Sequence, residues 1–339
     1  MVHFFLYLLG PSLVVSQFLS LTSLDSGVSA SFRGLSVVNN SVVWVSGTGG
    51  TVLRTIDNGE NWKNVSVPEM ENTDFRDIHG FNKNIAIVMG IDSPARFFKT
   101  IDGGKSWDLV HFDEREGVFY DGMSFWNRKN GIAFSDPVDG KHLIIKTQDG
   151  GESWQEILST AIPKKLDKEF GFAASGTSMP VIGSKLVWLG MGGTKSRVFR
   201  SQNGGLDWTV SETPVVHGGQ STGIYSVSFK NSKVGVAVGG DYTNQSIKNT
   251  MAYTEDGGFT WHLPIEQTHQ YRECVTYFRK NTFVAVGPSG FDISNDNGKH
   301  WKRLFSEVKD LTALSFSRGS NKGYAVGKKG MIVKLEIRD

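Results

Sequence analysis

One short stretch is written six times along this chain, each time ending in tryptophan. Its template is [Ser/Thr]-x-[Asp/Asn]-x-Gly-x-x-Trp, and its fullest copy is Thr100-Ile101-Asp102-Gly103-Gly104-Lys105-Ser106-Trp107. The other copies end at Trp62, Trp154, Trp208, Trp261 and Trp301, so successive tryptophans lie 45, 47, 54, 53 and 40 residues apart. That spacing suits one four-stranded propeller blade. A blade buries its faces only against its neighbours, so the repeats predict one large closed domain rather than two ordinary ones.

The stretch itself reads as a hairpin turn. Asp-Gly or Asn-Gly between two strand-like runs supplies the positive φ that tight turns need. The carboxylate or amide side chain can accept hydrogen bonds from the turn's own amides, and the Ser or Thr hydroxyl can close the loop from the other side. The indole has a flat face to bury and an N–H to place on a carbonyl. Asp57, Asp102, Asp149, Asp256 and Asp296 are therefore expected to build structure, not to catalyse or to bind calcium.

Seven second strands can be aligned, although the turn is written only six times. They fall at residues 42–47, 85–90, 131–135, 186–190, 234–239, 283–287 and 323–327. The seventh unit has an inner strand at 311–316 and a third strand at 331–337, and no turn or outer strand after it. An open blade would leave a bare sheet edge. Residues 17–21, Gln-Phe-Leu-Ser-Leu, resemble the outer strands elsewhere. The expectation is an all-β, seven-bladed β-propeller over 17–339, its last blade closed by the N-terminal strand.

Composition excludes several classes. A formal net charge of +2 and the absence of a long basic run argue against a nucleic-acid partner. The single cysteine, Cys274, allows no intrachain disulfide and reads as a buried thiol. Eight histidines show no metal-ligand spacing, and Gly47-Thr48-Gly49-Gly50 opens no helix, so neither metal nor nucleotide cofactor is expected. Residues 4–15 form a mostly apolar run, with Val14 and Ser16 placed as signal peptidase requires. Residues 1–16 are thus expected to be a signal peptide, the protein exported, and no transmembrane segment to follow. A misassigned start codon is the alternative. The expected state is a monomer.

The inner strands suggest a site. Alignment of Ser31-Phe32-Arg33, Asp74-Phe75-Arg76, Val118-Phe119-Tyr120, Gly223-Ile224-Tyr225 and Gln270-Tyr271-Arg272 places Arg33, Arg76 and Arg272 at equivalent positions, with Tyr120 and Tyr225 beside them. Pointed at one channel mouth, three guanidiniums would form an anion site. Alternatively they pair with nearby acids such as Asp74, Asp77 and Glu273. Asp136, Glu169 and Asp241 are carboxylates expected at the same mouth. With Tyr120, a pair of them at suitable separation could hydrolyse a glycoside; otherwise each caps a turn or neutralises an arginine.

The repeated stretch resembles the Asp-box, or bacterial neuraminidase, repeat of sialidases, sortilin-type receptors, xyloglucanases and photosystem II assembly/stability factors. Phe134-Ser135-Asp136-Pro137-Val138-Asp139-Gly140, residues 172–177 and Gly239-Gly240-Asp241-Tyr242 add a closer likeness to exported bacterial propellers similar to the photosystem factors. The resemblance implies seven blades and an arginine-rich patch for a partner protein, with Arg33, Arg76 and Arg272 as candidates. The Phe-Arg-Ile-Pro motif of sialidases is absent. A non-catalytic propeller binding a protein or carbohydrate, in the manner of an assembly factor, is the leading expectation; a sialidase-like or other glycoside hydrolase is the alternative.

Overall fold

The computed structural model describes residues 18–157, 161–268, 270–305 and 307–338. The expected signal peptide and Gln17 lie outside the described residues. Seven antiparallel sheets follow one another around a ring. The second strands are Val43–Gly47, Ala86–Gly90, Gly131–Val138, Leu186–Gly190, Gly235–Asp241, Thr282–Gly287 and Lys322–Gly327. Most of their residues are buried on both faces, which is why runs such as Val43-Trp44-Val45 are apolar without alternation. Seven hydrophobic clusters each join one blade to the next, from Trp44 and Val88 between blades 1 and 2 to Phe32, Val45 and Tyr324 between blades 7 and 1.

Ring closure is made by the N-terminal strand. Phe18–Leu24 runs antiparallel to Ile332–Arg338, in register from Phe18↔Arg338 to Leu24↔Ile332. It becomes the fourth strand of blade 7 and covers the edge that the chain's last strand would otherwise present. Among the described residues no helix is long and apolar enough to cross a membrane.

The six turns close through one hydrogen-bond set. In the second copy Thr100 Oγ1 donates to Asp102 Oδ1 and accepts from Gly104 N, while Asp102 Oδ1 also accepts from Lys105 N and Ser106 N. Gly104 has a φ of +79°, and a Cβ there would lie 2.6 Å from Val65 Cβ, so only glycine fits. Trp107 Nε1 donates to Val65 O of the preceding blade at 2.8 Å. These hydrogen bonds hold Asp102 Oδ1 in place and depress its pKa well below the ordinary carboxylate range. Cations one residue before the Ser or Thr staple blade to blade, Arg54 Nη1 reaching Lys83 O and Lys99 pairing with Glu152, and in blade 7 Lys334 Nζ reaches Asn58 O.

Two features shape the mouth of the channel. The fifth sheet is extended inward by Gly192–Gly193 and Glu169–Phe170. From Phe170 the chain then crosses the channel as a plug. Gly171 N donates to Asp136 Oδ1 of blade 3, Ser175 Oγ donates to Glu273 O of blade 6, and Thr177 Oγ1 lies 2.6 Å from Ser226 Oγ of blade 5. The second feature is a bulge near the start of the innermost strand in blades 1, 2, 3, 5 and 7. Phe32 pairs with Gly47 and Gly34 with Ser46, leaving Arg33 unpaired between them; Arg76, Asp121, Tyr225 and Thr312 occupy the same place in blades 2, 3, 5 and 7.

Candidate functional site

The bulge residues converge on a cavity of about 480 Å³ above the plug. Arg33, Arg76, Asp121, Tyr225 and Glu273 line it, one from each of blades 1, 2, 3, 5 and 6, together with Lys328 of blade 7. The floor is Gly171, Phe172, Ala173 and Ala174 of the plug. Arg76 Nη1 donates to Ala173 O and Arg33 Nη1 to Ala174 O, both at 3.1 Å. The two carbonyls belong to consecutive residues of the plug, so both guanidiniums are anchored on one short stretch of the floor. Each has its own carboxylate: Asp74 accepts from Arg76 Nε at 2.6 Å and Glu273 from Arg33 Nη1 at 3.3 Å. Nη2 of both arginines has no acceptor among the described residues and remains available to a ligand.

An aromatic wall faces this pair. Tyr225 stacks on Phe172 with centroids 4.0 Å apart and meets Tyr271 edge-on at 5.0 Å, while Tyr242 stands exposed at the rim. Tyr225 Oη donates to Ser221 O, which fixes the ring, and burial pushes its phenol well above the usual range. Beneath the rim, burial raises the pKa of Glu273, with Arg33 pulling the other way. Asp121 is 1% exposed, and neither of its oxygens meets a partner at hydrogen-bonding geometry. Burial, then the neighbouring Asp136 carboxylate, push Asp121 far up; burial raises Asp136 as well. The two acids thus share a proton.

Arg272 does not belong to this set. It is fully buried, with Nε on Asp292 Oδ2 at 2.7 Å and Nη1 on Ser289 Oγ and Tyr271 O. A Cβ on Gly287 would lie 3.1 Å from the Arg272 Cα, as one on Gly47 would lie 2.9 Å from Phe32 Cα and one on Gly239 3.0 Å from Ile224 Cα. Arg272 therefore fills the core slot of Phe32 and Ile224, and Glu273 takes the bulge. The sequence alignment is one residue out in blade 6, and a slip of one turns a side chain to the opposite face. Blade 3 shows the same slip. Tyr120 pairs with Ser135 and is fully buried, its hydroxyl 3.0 Å from His111 Nε2 and near Asp113, while Asp121 lines the cavity.

The expected acids are dispersed as well. Glu169 is buried and bound by Arg197 through Nε and Nη2, both at 2.6 Å. Asp241 caps its own turn by accepting from Thr243 N and Oγ1. Asp136 holds the plug. None of these, nor Tyr120, lines the cavity among the described residues. Of the acids expected to offset arginines, Asp74 and Glu273 do so; Asp77 instead accepts from Ile78 N and Met123 N.

Comparison with known proteins agrees with this architecture. The chain is similar to a photosystem II stability/assembly factor. The curated relative is "Photosystem II stability/assembly factor HCF136, chloroplastic" of Oryza sativa subsp. japonica, 22% identical over 324 residues, covering 85% of this chain and 74% of that protein. Among solved structures, "YCF48 bound to D1 peptide" superposes with a TM-score of 0.69 at 16% identity, over 94% of this chain and 97% of that one. YCF48 from Cyanidioschyzon merolae gives 0.62 at 19% identity, over 93% and 98%. No family model matches the chain. At these identities the structural likeness establishes the seven-bladed fold.

Proposed function

We propose that this protein is an exported, non-catalytic propeller that captures a segment of a partner protein at the mouth lined by Arg33, Arg76 and Tyr225, in the manner of an assembly factor. The observation that carries this reading is the anchoring of two guanidiniums on the adjacent carbonyls Ala173 O and Ala174 O, in a cavity walled by Tyr225 and Phe172. Directional donors beside an aromatic face suit a peptide, which brings carbonyls, carboxylates and side chains together. The solved structure of YCF48 bound to D1 peptide has the same fold and supports a peptide as the ligand class. Binding Glu169 to Arg197 and Tyr120 to His111 leaves neither free at the mouth, which favours capture over hydrolysis.

The test is an array of short immobilised peptides, acidic, neutral and basic, probed with the purified protein. Arg33→Ala and Arg76→Ala are expected to reduce capture about tenfold each, the loss of one charge-assisted contact, with the fold intact. Capture unchanged in both variants and in the double variant refutes the assignment. Export rests on residues 4–15, and a mature N-terminus at Gln17, read by mass spectrometry after cell fractionation, is the expected result. Light scattering in solution should give the mass of a monomer.

A further inference from the structure

The order of charges around the mouth carries more than a binding site. Following the blades from 6 to 3, the bulge positions read Glu273, Thr312, Arg33, Arg76 and Asp121, so an acid stands at each end of the arginine pair. Every cation at the mouth already has an anion: Arg33 has Glu273, Arg76 has Asp74, and Lys328 has Asp310 at 3.7 Å. No net positive field is left to attract a polyanion. What remains is a pair of open Nη2 donors, and a carboxylate is the group whose two oxygens a guanidinium fork matches. A second negative charge placed beside the first would meet Glu273 on one side or the Asp121–Asp136 pair on the other, and like charges at that range repel. Asp121 is buried and lines the cavity, and with Asp136 behind it the two carboxyls, sharing one proton, keep one negative charge that opposes an added anion. Across from the arginines, Phe172, Tyr225 and Tyr242 present area for an apolar or aromatic side chain.

We propose that the Asp121–Asp136 pair and Glu273 determine the specificity of this mouth, restricting it to a peptide segment with one isolated carboxylate beside an apolar or aromatic side chain and excluding phosphate groups and paired acids. The inference rests on the peptide-capture reading above. Its test is an array built on one neutral scaffold whose central position is alanine, glutamate, phosphoserine or a Glu-Glu pair, each next to phenylalanine or glycine. The native protein should retain the single glutamate next to phenylalanine about tenfold better than the phosphoserine or Glu-Glu peptides. The double variant Asp121→Asn/Asp136→Asn, which removes the pair's one charge, and Glu273→Gln should each narrow that ratio, while Arg33→Ala and Arg76→Ala lose the single-glutamate peptide itself. A native protein that prefers phosphoserine or Glu-Glu, or that shows no preference, overturns the proposal without any variant, so a variant that fails to fold does not shield it. If the arginine variants lose capture while both folded acid variants keep the native ratio, the specificity role fails and the capture reading stands. If the arginine variants bind as the native protein does, the capture reading itself is refuted.

Discussion

Arg272 separates a core arginine from a ligand arginine, and its replacement can be worked out from its contacts. Arg272→Ala removes the guanidinium from Asp292, leaving that carboxylate at 0% exposure with Thr268 Oγ1 as its remaining hydrogen-bond partner. Breaking a buried pair from one side typically costs about 3–5 kcal/mol, because the surviving charge is uncompensated. For 339 residues the entropy of unfolding near the midpoint is ~0.7 kcal/mol/K, from ~2.1 cal/mol/K per residue, so the expected fall in Tm is about 4–7 °C. Arg272→Met combined with Asp292→Leu removes both charges and should recover most of that loss. Calorimetry of the three proteins gives the stability arm, and peptide capture well below the Tm gives the functional arm, where Arg272→Ala should bind as the native protein does. A variant with native Tm and lost capture would refute the register assignment and return Arg272 to the mouth.

Other expectations follow from the same geometry. Deleting residues 1–24 removes seven ladder pairs and bares the Ile332–Arg338 edge; size-exclusion chromatography should show a shift to larger species relative to the full chain, and an unchanged profile would mean the ring does not depend on this closure. Thr100→Val keeps the shape of the turn but leaves Gly104 N without its acceptor, a cost of about 1–3 kcal/mol and hence a Tm lower by about 1–4 °C in a thermal melt. Asp77 is buried without a counter-ion and burial pushes its pKa up to about 7, so the folded state binds a proton there that the unfolded state has released. Its contribution to stability therefore falls as pH rises from about 4 to 7, while the buried His79 and His111, both lowered to about 4, change in the opposite sense. Urea midpoints of Asp77→Asn relative to the native protein should accordingly rise across that window; a difference independent of pH contradicts the assignment.

The ring was legible because its signal is redundant. Six copies of one turn, seven apolar second strands and one missing outer strand each imply the same closed architecture, and Phe18–Leu24 closes it where residues 17–21 were expected to. Hydrogen bonds within each turn span at most four residues, so spacing alone specifies them. The mouth is a different kind of object. Its floor comes from the insertion around residues 169–177, which crosses four blades to reach its partners, and no local pattern announces a segment that plugs a channel.

The faces of the inner strands were misread for a definable reason. A bulge inserts one unpaired residue, so the outward alternation restarts and each strand admits two registers a residue apart. In blades 1 and 2 an aromatic core residue precedes the channel residue, Phe32 before Arg33 and Phe75 before Arg76, and blade 3 repeats the rule as Tyr120 before Asp121. Blade 5 keeps it with an aliphatic core residue, Ile224 before Tyr225. Had Tyr120 been read as the core member, Asp121 would have been visible in the sequence. Blade 6 breaks the rule by placing Arg272 in the core slot, which is tolerable only because Asp292, Ser289 and the Tyr271 carbonyl satisfy its guanidinium there. Asp292 sits twenty residues away on the third strand of the same blade and Ser289 in the turn before it, and nothing at Gln270-Tyr271-Arg272 itself reveals them. The scaffold is therefore written in repeats, whereas the cavity lining is written in single residues of blades 1, 2, 3, 5 and 6, each of which can change without disturbing the core beside it.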